Sequence, residues 1–242
     1  MIDFPLTRIP LFGLWPNFAI LDGVRVPIRH SPLSPRARRH LMRGGYETAE
    51  RHVLALLLDE GDHVLELGAS IGIVSSILWK KVGPHGRVLS VEANDALRAP
   101  FERQMVANHL AGEWVEALCC PVWGQSIPAS ILTQRFVGTT SNLTGAADNV
   151  TSTDTKSGWL TAGQICDKYR MKPTALMIDV EGSEAVWGTM SPRFPLSVRA
   201  IVVEIHPWLI GADRAGLCVQ ALIEEGFRIV AIYGTVFGFR RC

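Results

Sequence analysis

Leu65-Glu66-Leu67-Gly68-Ala69-Ser70-Ile71-Gly72 is the stretch whose reading decides the fold. The apolar run His63-Val64-Leu65-Glu66-Leu67 reads as a buried strand, and Ile71 to Lys81 reads as a helix stopped by Gly83-Pro84. Between them lies a turn of small residues with the pattern E-x-G-x-S-x-G. Gly68 lets the backbone turn sharply and pass close to a ligand, Ser70 is small and can hydrogen-bond, and Gly72 lets the helix pack near the strand. A strand that enters a helix through such a turn builds a ligand crevice at the strand's carboxyl end.

The same rhythm continues outward. Arg87-Val88-Leu89-Ser90-Val91 predicts a second strand and about Asp95 to Leu110 a second helix. Trp114 to Cys119, Ala175 to Asp179 and Ala200 to Ile205 predict three more strands, with helices at about Leu160–Tyr169 and Asp213–Glu225. Strand and helix in alternation argue for a parallel sheet covered on both faces by right-handed crossovers. Phe227–Ala231 and Val236–Phe239 are separated by only a few residues around Gly234, so they form an antiparallel hairpin. Upstream, a helix is expected from Tyr46 to Leu58. Residues 1–45, rich in proline and arginine, read as an extension with a hairpin at Asp22-Gly23, leaving 46–242 as the main domain. The polar run Gly138 to Gly158 is a long loop of the kind that is functional or mobile.

Composition narrows the classes. In 242 residues, 24 Lys+Arg against 23 Asp+Glu give a net charge of +1, which provides no global field to draw in nucleic acid or an anionic membrane. Hydrophobic residues at 48% and charged residues at 19% belong to a folded chain with a sizeable core, so disorder is excluded as the main state. The longest uncharged run, Ala117 to Gln134, holds Pro121 and Pro128 and does not read as a bilayer span. Asp3, Pro5, Arg8, Pro10 and Pro16 interrupt any leader-like apolar stretch, so a cytoplasmic location is expected. Five cysteines, of which only Cys119 and Cys120 are neighbours, suggest reduced buried thiols rather than disulfides or a zinc site. The triplets Asn142-Leu143-Thr144 and Asn149-Val150-Thr151 are taken as chance.

Glu92, twenty-six positions after Glu66, follows the second strand, where a carboxylate can accept hydrogen bonds from both hydroxyls of a ribose. A nicotinamide-binding turn would read G-x-G-x-x-G, but the fifth position after Gly68 is Ile73. An acid at Glu66 repels a pyrophosphate and suits an α-ammonium, so the spacing favours S-adenosylmethionine over NAD. A small-residue turn with a strand-end glutamate also occurs in α/β proteins that bind no nucleoside.

These residues resemble the FkbM family of S-adenosylmethionine-dependent methyltransferases over about Gly45 to His206. The resemblance is carried by Gly45-Tyr46-Glu47-Thr48-Ala49-Glu50, the turn at Gly68, Val91-Glu92-Ala93-Asn94, Ile178-Asp179-Val180-Glu181-Gly182-Ser183-Glu184 and Ile201–His206. It implies a Rossmann-like α/β fold of class I methyltransferases: a seven-stranded, mostly parallel sheet, helices on both faces, and a C-terminal antiparallel hairpin. It also implies O-methylation, with S-adenosylhomocysteine as product, of a hydroxyl on a natural product or sugar-containing compound. The cofactor would lie against Glu66, Gly68, Ala69, Ser70, Gly72, Glu92, Ala93, Asn94 and Asp179, with Tyr46 and Glu50 at its methionine end. One departure stands out: where the family often has Thr-Leu-Asp before the fourth strand, this chain has Leu160–Asp167, so only Asp167 could supply that acid, from a shifted position.

Proton removal from a hydroxyl acceptor calls for a base. Asp179, Glu181 and His206 are the candidates, since all three follow strands on the crevice rim. Asp179 also reads as a helix N-cap, His206 as a structural histidine, and Glu184 as an ordinary first-turn helix acid. Asp179, Glu181 and Glu204 are hard oxygen ligands of the kind magnesium uses, yet no spacing demands a metal and none is expected. Arg36, Arg38, Arg39 and Arg43 read as a solvated helix face, as a contact for an anionic acceptor or as a lid over it. Trp15, Trp123, Trp159 and Trp208 serve either core packing or the walls of a pocket. The expected partners are a small hydroxylated acceptor and at most a second copy of the chain, without nucleic acid or membrane. A non-catalytic scaffold on the same fold is the alternative.

Overall fold

Alternate residues of the central strands go to opposite faces of one sheet, and both faces are covered. Leu65 and Leu67, Leu176 and Ile178, Ile201 and Val203 share one apolar cluster, while Val64, Ala175, Met177, Ala200 and Val202 share another. This is the period-two pattern of a doubly covered sheet, and it explains why the strands read as near-continuous apolar runs. The computed structural model describes residues 16–29, 31–124, 127, 136–138, 148–150 and 159–242. Trp15, most of the Gly138–Gly158 run and all or part of both Asn-X-Thr triplets lie outside these residues.

The chain begins with β1 (Phe18–Leu21) and β2 (Val24–Pro27), an antiparallel hairpin. Its turn is Asp22-Gly23, both at positive φ, the conformation that matches strand twist in a two-residue loop. α1 (Pro35–Met42) is capped by Ser34, whose Oγ accepts from Ala37 N, and starts with a proline. α2 (Thr48–Leu57) buries Val53, Leu54 and Leu57 against the sheet. Arg51 joins these parts, donating to both Asp22 oxygens and to the carbonyls of Gly44 and Tyr46.

Next come β3 (His63–Leu67), α3 (Ile73–Val82), β4 (Arg87–Glu92), a 3-10 turn at Asp95–Leu97, α4 (Arg98–Ala107) and β5 (Glu113–Glu116). β6 (Leu118–Cys120) leaves the main sheet, so the expected single strand from Trp114 to Cys119 is two strands in different sheets. β7 (Phe136–Gly138) and β8 (Asp148–Val150) pair antiparallel. β9 (Trp159–Thr161) pairs with β6, so the helix expected from Leu160 starts only at α5 (Ala162–Lys168), behind a Thr161–Gln164 capping box. The chain ends with β10 (Ala175–Ile178), a 3-10 segment at Ser183–Gly188, β11 (Ala200–Glu204), α6 (Pro207–Ile210), α7 (Ala212–Glu224), β12 (Phe227–Tyr233) and β13 (Val236–Arg241).

The main sheet runs β12-β13-β11-β10-β3-β4-β5. β5, β4, β3, β10 and β11 are mutually parallel, and β13 alone is reversed, pairing antiparallel with both β11 and β12. Chain order reverses direction at β3, so the crevice between the carboxyl ends of β3 and β10 is the topological switch point. The N-terminal hairpin and α1 share an apolar cluster with Tyr46, Ile71, Ile73 and Leu97, which seats them beside that crevice. Among the described residues no helix is long and apolar enough to cross a membrane.

Candidate active site

Two strand ends form the floor of the site. Asp179 N donates to Leu67 O at 2.8 Å, bringing the chain that leaves β10 against the chain that leaves β3. Only glycine fits at position 68: φ is +93°, and a Cβ there would lie 1.7 Å from the Asp179 carbonyl oxygen. Ser70, at φ +48°, donates its N–H to Glu92 Oε2 at 2.8 Å, and Asn94 N donates to Glu92 Oε1 at 2.9 Å. Glu92 therefore holds the turn in shape from the neighbouring strand. An ionised carboxylate has about four acceptor sites, so it retains capacity for a ligand.

A cleft of about 680 Å³ opens over these strand ends, a size typical of small-molecule sites. Of the expected residues, Tyr46, Gly68, Ser70, Glu92, Ala93, Asn94, Asp179, Glu181 and His206 line it. Glu50, Glu66 and Ala69 line instead an adjoining cavity of about 20 Å³, shared with Tyr46, Glu47, Gly68, Ser70 and Asp179. Glu66 is 1% exposed; its Oε2 accepts from Ser90 Oγ at 2.6 Å, and its Oε1 has no partner. Burial pushes this carboxyl up to about 7. Ser70 Oγ is also buried without a partner. Gly72 lines neither cavity. A Cβ at that position would meet Phe101 Cδ2 at 2.7 Å, so this glycine gives clearance to α4 rather than to the strand.

Opposite the Gly68 turn, His206 is surrounded by carboxylates. It is 2% exposed. Its Nε2 lies 3.3 Å from Glu181 Oε2, 3.4 Å from Asp179 Oδ1 and 3.7 Å from Glu204 Oε2. Glu184, fully buried, meets the other side of the ring: its Oε1 accepts from His206 N at 2.9 Å and lies 3.0 Å from Nδ1, while its Oε2 accepts from Gly182 N at 2.9 Å. Burial alone would lower the imidazole's affinity for a proton. The Asp179 carboxylate 3.4 Å away and the hydrogen-bonded, charged Glu184 override it, raising the group to about 11. The ring is thus an imidazolium at neutral pH. Burial, with Asp179 close by, pushes Glu181 up to about 8 and Glu204 up to about 7. Asp179, Glu181 and His206 each offer a ligand atom within 4.8 Å of the others, the span of a divalent ion's shell. The imidazolium itself supplies a balancing positive charge there.

Three of the seven non-glycine residues at positive φ among the described residues lie at this cleft. Glu47, Ser70 and Glu181, all lining the cleft, have φ of +45°, +48° and +47°. Non-glycine residues rarely adopt this conformation, and packing must hold them in it.

Several site residues were not legible in advance. Glu184 is the first-turn acid expected of it, in the 3-10 segment and accepting from Gly182 N, and is in addition the buried support of His206. Glu47 and His40 also line the cleft, although neither was named as a site residue. Asp167, the acid considered as a substitute for the missing Thr-Leu-Asp aspartate, is exposed near the end of α5 and does not line the cleft. Trp159 and Trp208 line the cleft, and Trp123 packs against the core. Cys119, Cys120, Cys166 and Cys218 are buried free thiols, as the composition suggested, and Cys242 is exposed.

Five parallel strands with the switch at β3, followed by a hairpin whose last strand is reversed, make the Rossmann-like sheet of class I methyltransferases. No protein-family model and no curated protein matches the sequence, so the likeness to FkbM enzymes rests on the quoted motifs alone. Among solved structures, Aeropyrum pernix fibrillarin with bound S-adenosyl-L-methionine is 14% identical, with 75% of this chain and 66% of that one covered and a TM-score of 0.43. A precorrin-6y C5,15-methyltransferase from Geobacter metallireducens is 13% identical, with coverage of 80% and 86% and a TM-score of 0.44. A TehB-like SAM-dependent methyltransferase from Corynebacterium glutamicum is 11% identical, with coverage of 86% and 95% and a TM-score of 0.44. The activities of these proteins stay their own.

Proposed function

We propose that this chain is an S-adenosylmethionine-dependent methyltransferase that methylates a hydroxyl group of a small metabolite. The observation that carries the reading is one cleft, at the switch point of the sheet, holding both the Glu92-braced Gly68–Ser70 turn and the Asp179–Glu181–His206 cluster. The residues present fit that cofactor. Glu66 Oε1 and Ser70 Oγ are buried acceptors that lack donors, and an ammonium group supplies donors. Glu66, with Tyr46 and Glu50, would hold the amino-acid end, and Glu92 the ribose hydroxyls, with Ala93 and Asn94 beside it. When bound, S-adenosylmethionine supplies a methyl group already activated by its positive sulfur.

The chain's own work is to position the acceptor and take its proton. Glu181, half buried on the rim and raised to about 8, is matched to proton transfer near neutral pH, a contribution of about 10²–10⁴-fold. Asp179 shares the rim and orients the acceptor. An imidazolium has no lone pair, so His206 fills a positioning role, holding three carboxylates in register, rather than the role of base read from its place in the sequence. Calorimetry with S-adenosylhomocysteine, followed by mass spectrometry for a one-methyl gain on hydroxylated acceptors, tests the reading. Folded protein that binds no S-adenosylhomocysteine overturns it; binding without any methyl gain across a broad acceptor panel favours a scaffold.

A further inference from the structure

Charge is divided between two walls of the cleft. Residues 36, 39, 40 and 43 recur at the spacing of one helical face, and Arg36, Arg39, His40 and Arg43 all line the cleft. Ala37 and Leu41, between them in sequence, are buried against the hairpin. Arg38 falls off the polar face and is committed locally, with Nε donating to Leu33 O at 2.8 Å and Nη2 to Ser31 O at 3.0 Å. Among the described residues no ion pair joins Arg36, Arg39 or Arg43 to any carboxylate, and the first turn of α1 has no acid. Of the acids that line the cleft, Asp179, Glu181 and Glu204 gather around His206, Glu92 is engaged by Ser70 N and Asn94 N, and Glu47 stands next to Tyr46. Three exposed arginines thus line a ligand cavity with no ion pair to any carboxylate among the described residues.

We propose that this face of α1 is the subsite for a phosphoryl group, so that the acceptor is a hydroxylated phosphate ester rather than a neutral metabolite. The word acceptor rests on the methyltransferase reading; the anion subsite does not. Guanidinium forks pair bidentately with phosphate oxygens, and three of them with an imidazole exceed what one carboxylate balances. Eight helical residues span about 12 Å, the reach of one or two phosphates and not of a nucleic-acid track. The carboxylates around His206 would also repel a polyanion.

Inorganic pyrophosphate is the probe, titrated calorimetrically into the full chain with and without S-adenosylhomocysteine. Wild-type protein is expected to bind it. The exposed-residue variant R36Q/R39Q/R43Q is expected to lose about tenfold or more in pyrophosphate affinity and less than about threefold in S-adenosylhomocysteine affinity. R38Q serves as a charge-matched control with pyrophosphate affinity close to wild type. The proposal is overturned if wild type ignores pyrophosphate, if the triple variant binds it as wild type does, or if the triple variant loses both ligands alike. It is also overturned if a short RNA binds more tightly than pyrophosphate with a steep salt dependence. If pyrophosphate binds through these arginines while S-adenosylhomocysteine binds nowhere, the subsite stands and the methyltransferase reading falls.

Discussion

Replacing Glu184 with alanine should cost this fold a large part of its stability. The carboxylate is fully buried and serves Gly182 N, His206 N and His206 Nδ1 at 2.9–3.0 Å. Alanine strands two buried backbone donors at about 1–3 kcal/mol each and deprives the imidazolium of a neighbour. The total is about 3–5 kcal/mol, the usual cost of breaking a buried pair by removing one partner. Against an ordinary domain stability of about 5–15 kcal/mol, that is about a fifth at the least and the whole at the most. Urea unfolding followed by circular dichroism at pH 7 measures it, on wild type, E184A and E184Q. Glutamine keeps an oxygen acceptor in place and should cost about half as much. A double-mutant cycle with H206A should show a coupling of about 1 kcal/mol or more. E184A within about 1 kcal/mol of wild type, or additive behaviour in the cycle, would refute the account of Glu184 as the support of His206.

Three further outcomes are expected. In G68A the new Cβ, 1.7 Å from the Asp179 carbonyl, forces β3 and β10 apart at the cleft floor; the melting temperature should fall and S-adenosylhomocysteine binding disappear, and an unchanged melt with intact binding would contradict this. Glu66 is raised from 4.5 to about 7, so its stabilising contribution is full below about pH 4.5 and is lost as pH rises through 7, a change of about 3 kcal/mol. E66Q should therefore gain on wild type in urea midpoint between pH 5 and pH 8, and midpoints that run parallel would sink the assignment. Because His206 supplies positive charge to the carboxylate cluster, dialysis against EDTA should leave S-adenosylhomocysteine affinity and turnover within about twofold; a loss restored by magnesium would show that Asp179, Glu181 and His206 hold an ion.

The alternation of strand and helix was readable because burying both faces of a parallel sheet demands apolar runs at every strand, and because Gly68 answers a steric need that no other residue meets. The elements misjudged were those where pairing, not pattern, decides. Trp114 to Cys119 is continuous in hydrophobicity, yet β6 turns away to meet β9, a partner about forty residues later. Glu184 looked like any acid in a helix's first turn, because the spacing that matters is to His206, twenty-two residues on and in contact only through the fold. The charge state of His206 was equally hidden: it depends on four carboxylates, three of them from the 179–184 stretch that leaves β10 and one, Glu204, from its own strand end. Spacing puts Arg36, Arg39 and Arg43 on one helical face, whereas Arg38, grouped with them in the sequence, falls off it. That the face lines the cleft follows from how the hairpin packs against Ile71 and Leu97.

A crystal structure of the full chain grown with saturating S-adenosylhomocysteine tests the central claim most directly. The account predicts density in the cleft over Gly68–Ser70, with ribose hydroxyls on Glu92 and the amino group toward Glu66. A cleft left empty, or density lying elsewhere on the molecule, would contradict it.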